Sequence, residues 1–200
     1  MKKLIILISV FLSSLAFMSI CAQAPDFAFP KKVEQKAASD LKAALAAPDG
    51  GDRVVNALVR MGLAQTAVSA DSLSSVLREV EAVRLKEKDV VTRSMLALLE
   101  AQIYADAYNA DRWTIDRRPE LDTPAASSDI TLWGKAQFRD KVLALTAEAL
   151  ANPEALKEVP INEYSVTLEF KRDAITFYPT LFDFAANKAI NLLDSGLMPY

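Results

Sequence analysis

The chain has 200 residues, with 26 acidic and 23 basic side chains, no histidine and a single cysteine, Cys21. Histidine is the commonest metal ligand and the usual proton carrier near neutral pH, and cysteine is a soft ligand and a strong nucleophile, so most familiar catalytic constellations are excluded. Since the sequence also lacks a phosphate-binding glycine loop and a basic stripe, we expect no catalytic residue, no cofactor, no metal and no nucleic-acid partner.

Residues 1–22 have the pattern of a signal peptide, with two lysines followed by an apolar stretch and small residues. We expect cleavage after Ala22, which leaves Gln23 as the N-terminus and exports the chain to the periplasm or cell envelope. Two alternatives stay open. Cys21 is a candidate for lipid attachment, and the apolar stretch is nearly long enough for an uncleaved membrane anchor. Cleavage as proposed removes the only thiol, so no disulfide is expected.

Four helices are predicted after an extended lead-in over residues 23–30. Each segment is either rich in good helix formers or has apolar residues at three- and four-residue steps, which gives a helix one apolar face. The four segments are 31–47, 54–63, 73–83 and 90–109.

Short breaks separate these four helices. The sequence Pro48-Asp49-Gly50-Gly51 ends the first of them, and Asp52 is expected to cap the second. In the fourth, Ala97, Ala101 and Ala105 allow a neighbouring helix to approach closely. The short breaks predict antiparallel helical hairpins over 31–109, as a bundle or a solenoid of tetratricopeptide-like architecture, although the aromatic and glycine signature of that repeat is not evident.

The second half of the chain differs in composition. Arginines, prolines and small residues predict a loop over 110–128, and residues 129–200 are expected to form a helix–loop–helix unit ending in a C-terminal helix. Within it, 161–170 alternates in hydropathy, so a brief strand and a loop with buried aromatics both remain open. Residues 31–200 are therefore predicted to be one all-α domain.

Local signals predict where the helices of this half begin. Asp129 is expected to cap a helix that includes Trp133. Pro153 suits the first position of a short helix. Thr180 and Asp183 match a capping box at the start of the last helix.

The best candidate for specific binding is a run of aromatic and arginine side chains. Such residues dominate the energetics of protein interfaces. The alternative, which we favour from the sequence, is that the two tyrosines, one helical turn apart, pack in the core while Arg112 or Arg117 pairs with a carboxylate. The candidate docking residues are Tyr104, Tyr108, Arg112, Trp113 and Arg117.

Two acidic patterns are interpreted as structural. The run from Asp49 to Asp52 lacks the further oxygen ligands of a calcium loop and is predicted to be a turn with a cap. Four acids in the third helix and its following turn are predicted to be solvated surface: Glu79, Glu81, Glu87 and Asp89.

Several segments in order resemble the helical N-terminal region of the large exported alpha-2-macroglobulin-like proteins of Bacteroides-type bacteria. The resemblance spans residues 52–193. Its most specific part is Tyr178-Pro179-Thr180-Leu181-Phe182-Asp183-Phe184, followed by the segment with Arg112-Trp113. The contributing segments are 90–96, 101–104, 109–117, 133–138, 161–164 and 178–184.

The resemblance implies a helical fold, an envelope location and a role as a docking or scaffold region. Members of that family continue into β-sandwich macroglobulin domains, a bait segment and often a thioester, and they trap or inhibit proteases. No thioester motif is present in this sequence. The resemblance therefore implies a protein partner or downstream macroglobulin domains, with an independent envelope scaffold that binds a peptide or protein as the alternative.

Overall fold

The computed structural model describes residues 30–47, 50–68, 72–118, 129–168, 174–194 and 196–197. Within these ranges every regular element is helical and no strand occurs, which confirms the predicted all-α class. The predicted signal peptide and residues 23–29 of the lead-in lie outside the described part. Of the helices that are described, none has the length and apolar character needed to cross a membrane.

Nine α-helices and two short 3₁₀ helices occur in the described residues. The 3₁₀ helices are Ile130–Leu132 and Ile161–Tyr164. The α-helices are α1 (Pro30–Ala46), α2 (Gly51–Val68), α3 (Leu73–Lys86), α4 (Val90–Ala110), α5 (Arg112–Ile115), α6 (Lys135–Ala149), α7 (Pro153–Lys157), α8 (Ala174–Phe177) and α9 (Leu181–Asp194).

Helix α4 occupies the centre of the structure. It contacts α2, α3, α5, α6, α7 and α9, while α1 packs mainly on α2. The predicted close approach along its small residues is confirmed, because Ala97, Ala101 and Ala105 are all buried. A helix surrounded on most sides has no single apolar face. Polar side chains of α4 therefore enter the interior together with the apolar ones.

The largest buried polar feature is an ion-pair cluster that joins α3, α4 and α6. Glu100 of α4 is fully buried, and its Oε2 accepts a hydrogen bond from Arg84 Nε of α3 at 2.8 Å. Its Oε1 lies 3.2 Å from Lys141 Nζ of α6. Arg84 also donates from Nη1 to Glu148 at 2.6 Å, and Arg93 Nε donates to the same carboxylate at 3.0 Å. A buried charge is tolerated only when it is paired in this way.

The C-terminal helices close over one side of α4. Helix α9 contacts α4, α6 and α7. The segments leading into the second 3₁₀ helix and α9 pair through one antiparallel bridge, in which Ile161 N donates to Pro179 O and Leu181 N donates to Val159 O. This bridge fixes where α9 begins.

Two local predictions in this half are confirmed. Pro153 occupies the first turn of α7. The capping box is formed, since Thr180 N donates to Asp183 Oδ2 at 3.1 Å and Asp183 N donates to Thr180 Oγ1 at 3.3 Å. Both motifs depend only on residues close in sequence.

Two other predictions need correction, and one open alternative is decided. Asp129 caps the first 3₁₀ helix rather than α6, which starts after Gly134, so Trp133 precedes the helix that was expected to include it. Of the two alternatives for 161–170, the strand does not form at 161–164, which are 3₁₀ helix with Tyr164 buried. The predicted 110–128 loop contains α5 at its start, while 119–128 lie outside the described residues. In each case a single helical turn replaces an irregular or extended segment.

Replacing Glu100 by Gln tests how far the fold depends on this cluster. We expect a loss of about 3–5 kcal/mol in the free energy of unfolding, because Arg84 and Lys141 would lose their shared buried counter-charge. Urea denaturation at pH 7 measures this loss. The control is Glu154→Gln, which breaks a 2.8 Å pair with Lys157 on an 82% exposed side chain and should cost less than about 1 kcal/mol. Equal losses for the two variants would contradict the central role of Glu100.

Candidate functional site

The structure divides the five candidate docking residues into two groups. Tyr104 and Tyr108 lie on α4 and are buried. Arg112 and Trp113 lie on α5, and Arg117 lies in the turn that follows it. The alternative interpretation of the tyrosines as core residues therefore matches their positions, and only the second group faces solvent.

Tyr104 belongs to an aromatic cluster between α4 and the start of α6. Its ring stacks on Trp133 with centroids 5.3 Å apart and planes 2° from parallel. Phe138 meets both rings edge-on, and also approaches Tyr108 at 6.0 Å. Stacked and edge-to-face arrangements are the favourable ones for aromatic rings. Burial raises the pKa of Tyr104 above its usual range, which suits a structural phenol.

Tyr108 connects the core to α5. Its ring is fully buried, and its hydroxyl donates to Asp116 Oδ1 at 2.7 Å. Burial, followed by this hydrogen bond, raises the pKa of Tyr108 to about 12, so it stays protonated and remains a donor at neutral pH. Asp116 in turn lies 3.6 Å from Arg112 Nε.

Helix α5 is a single turn that is anchored on the core. The carbonyl oxygen of Asp111 accepts from the backbone N–H groups of Thr114 and Ile115, both at 3.0 Å. Ile115 is buried and anchors the turn on the core. Because side chains of a helical turn point in different directions, an inward Ile115 leaves Trp113 on the outer side.

Trp113 is 73% exposed, an unusual state for an indole ring. The guanidinium carbon of Arg117 lies 4.0 Å from the ring centroid, well within the range of a cation–π contact. Arg112 lies beside it on the same turn. We call these three side chains, Arg112, Trp113 and Arg117, the α5 surface. It presents one flat apolar ring with two cationic groups.

The turn after α9 packs against this surface. Gly196 has a φ of +92°, a conformation that glycine adopts without strain. A Cβ at this position would come within 2.6–2.8 Å of the Arg112 guanidinium, so Gly196 and Arg112 are close neighbours, and the positive φ is what favours glycine here. Leu197 is fully buried next to it. The end of the described chain is thereby fixed beside Arg112.

A separate open cleft of about 370 Å³ lies where the α1–α2 and α3–α4 connections meet residues 159–164. Its carboxylates already serve as backbone acceptors. Glu87 accepts from Lys88 N and Asp89 N, and Asp89 accepts from Thr92 N. Asp89 is exposed and Glu87 is half-buried, which agrees with the predicted solvated surface, and both also accept backbone hydrogen bonds at the start of α4.

Asp52 is also part of this cleft, and its position corrects the prediction that it caps α2. It lies within the first turn of α2 and accepts from Val166 N at 2.8 Å and Thr167 N at 2.9 Å. It therefore ties two distant segments together, a role its cap-like position did not reveal. In the described part of the chain, no group of three or more acidic, histidine or cysteine side chains is placed to hold a metal ion.

No protein-family description, curated protein or solved structure matches this chain. Among the described residues, the α5 surface combines an exposed indole ring with two arginines on a turn that the core anchors.

Alanine substitutions at Trp113 and Tyr108 distinguish a surface residue from a core residue. Trp113→Ala should cost less than about 1 kcal/mol of unfolding free energy, because an exposed ring loses mainly its contact with Arg117. Tyr108→Ala should cost about 3–5 kcal/mol, because it empties a fully buried site. Thermal and urea denaturation measure both. A large loss for Trp113→Ala would mean that the indole supports the fold and is not free to bind.

Proposed function

We propose that this chain is an exported, non-catalytic helical module that binds another protein domain through the α5 surface. The partner that fits the family resemblance is a macroglobulin-type domain of the same protein, so the module acts as a docking or scaffold region of an alpha-2-macroglobulin-like protease inhibitor. The supporting observation is the exposed Trp113 ring, fixed under Arg117 on a turn that the core anchors.

The chemistry of the α5 surface indicates what the partner must offer. Tryptophan and arginine are the residues whose truncation most often weakens an interface. Because Arg117 already orders the ring, little side-chain entropy is left to lose on binding. A partner needs a shallow apolar site for the indole and a carboxylate within reach of Arg117. The second arginine, Arg112, is partly occupied by Asp116 and by the approach of Gly196.

The order of the first four helices supports the finer architectural prediction. Helix α1 packs on α2, α3 packs on α4, and α2 contacts both members of the second pair. We infer two antiparallel helical hairpins stacked in the manner of a tetratricopeptide-like array. In such arrays each pair buries its apolar face on its neighbour.

The second candidate is an independent envelope scaffold that binds a peptide or protein, and the open cleft is the observation that favours it. Asp52, Glu87, Asp89 and Glu163 line it, so a lysine- or arginine-bearing segment would be electrostatically matched. The two candidates use different surfaces, and mutations can therefore distinguish them.

The docking proposal is tested first by the gene sequence beyond codon 200 and then by binding. We expect the reading frame to continue into macroglobulin-type domains. The mature module and the next domain, purified separately, should bind in isothermal titration calorimetry. The double variant Trp113→Ala/Arg117→Ala should weaken this affinity by tenfold or more, as loss of a hot spot of about 2 kcal/mol requires.

The matched control is Phe177→Ala, which removes an aromatic ring with 74% exposure from α8. It should leave the affinity unchanged. A stop codon after Tyr200 with no downstream macroglobulin frame would count against the family link. Binding that is insensitive to the double variant but lost on Glu163→Gln would favour the cleft.

Export is tested on the mature protein itself. Intact-mass measurement of material from the cell envelope should give a chain beginning at Gln23. A mass increased by lipid at Cys21, or a full-length mass, would support one of the two open alternatives. Detection only inside the cell would contradict export.

A further inference from the structure

Asp106 is a buried carboxylate that neither the fold nor the α5 surface explains. It lies on α4 and is only 5% exposed. Its Oδ1 accepts a hydrogen bond from Gln102 Nε2 at 2.7 Å, and its Oδ2 has no hydrogen-bond donor among the described residues. An ionised carboxylate has about four acceptor sites. One neutral amide donor therefore leaves most of the charge without compensation.

The charged group that acts on Asp106 is Lys188 of α9, a helix that packs on α4. Its attraction lowers the pKa of Asp106, and the reciprocal effect of Asp106 raises that of Lys188. No charged side chain from the described parts of α2, α3, α5, α6 or α7 is among the groups that act on Asp106. Among the described residues, Asp106 therefore has one amide donor and one lysine that influences its charge.

Burial outweighs both favourable contacts. Desolvation raises the pKa of Asp106 to about 6, against the smaller lowering by Gln102 and Lys188. Burial also lowers the pKa of Lys188, and Asp106 only partly offsets this. Each group is therefore harder to charge in the folded protein than in water. The contact between α4 and α9 contains a group that changes its charge within the mildly acidic range.

We propose that Asp106 and Lys188 make the contact between α4 and α9 pH-responsive, so that it is tight when Asp106 is protonated and looser when Asp106 is ionised. Lys188 lies next to Ala189 and one helical turn from Ala185, which are both buried, so it lies towards the side of α9 that packs on the core.

The direction of the pH effect follows from the linkage between proton binding and stability. A carboxyl group whose pKa is higher in the folded state binds protons more readily there, so its contribution to stability is present in acid and is lost as pH rises through about 6. The effect does not require a partner, so it is tested separately from the docking proposal.

Two measurements on the intact chain test this contact. Nuclear magnetic resonance of aspartate side-chain carbons should show Asp106 titrating near pH 6. Hydrogen exchange of α9 amides, corrected for intrinsic rates, should show protection about tenfold lower at pH 7.5 than at pH 5, as the shift in pKa predicts. Asp106→Asn should remove this difference, whereas Asp140→Asn, at a 66% exposed side chain, should retain it.

Lys188→Met gives a further test that does not depend on how Asp106→Asn folds. Removing the attracting charge should move the titration of Asp106 to still higher pH, and the change in α9 protection should move with it. Titration of Asp106 near pH 4, or α9 protection that is the same at both pH values in the wild-type chain, would overturn the proposal.

Discussion

The fold depends on how the central helix α4 is surrounded. A helix in contact with six others cannot present a polar face to solvent along its whole length, so its polar side chains must be satisfied inside. Glu100 is the most demanding of them because it is fully buried and charged. Its two partners, Arg84 and Lys141, come from different helices and reach different oxygens of one carboxylate. This geometry selects one position of α3 and one of α6 along α4.

The exposed α5 surface is a consequence of the same core. Helix α4 ends at Ala110, and the chain turns at once into α5, where Ile115 is the residue that enters the interior. Tyr108 holds the far side of this turn through Asp116. With these two points fixed, Trp113 takes an outward position beside Arg112. An apolar ring is thus presented by a rigid support, and this combination is expected of a binding residue rather than of an accidental exposure.

Patterns among residues close in sequence predicted much of this structure. Contacts between residues far apart in sequence were not predicted. The periodic helices, the capping box of Thr180 and Asp183, and Pro153 at a helix start all depend on neighbours within one or two turns. Asp52 had an equally good local signal for a cap, yet its carboxylate binds Val166 and Thr167, more than one hundred residues away. Similarly, sequence spacing placed the tyrosines and Trp113 in one cluster. The turn at Asp111 is what places the tyrosines in the core and Trp113 on the surface.

Two carboxylates on α4 show why burial alone does not decide what an acid does. Glu100 meets two cations, and one of them donates a hydrogen bond at 2.8 Å, so its charge is balanced where it stands. Asp106 meets an amide and a single lysine that is itself poorly solvated. Both acids were equally inconspicuous in the sequence, because the charged groups that act on them lie on other helices. The first carboxylate fixes α3 and α6 on α4. The second, by our proposal, makes the contact between α4 and α9 dependent on pH.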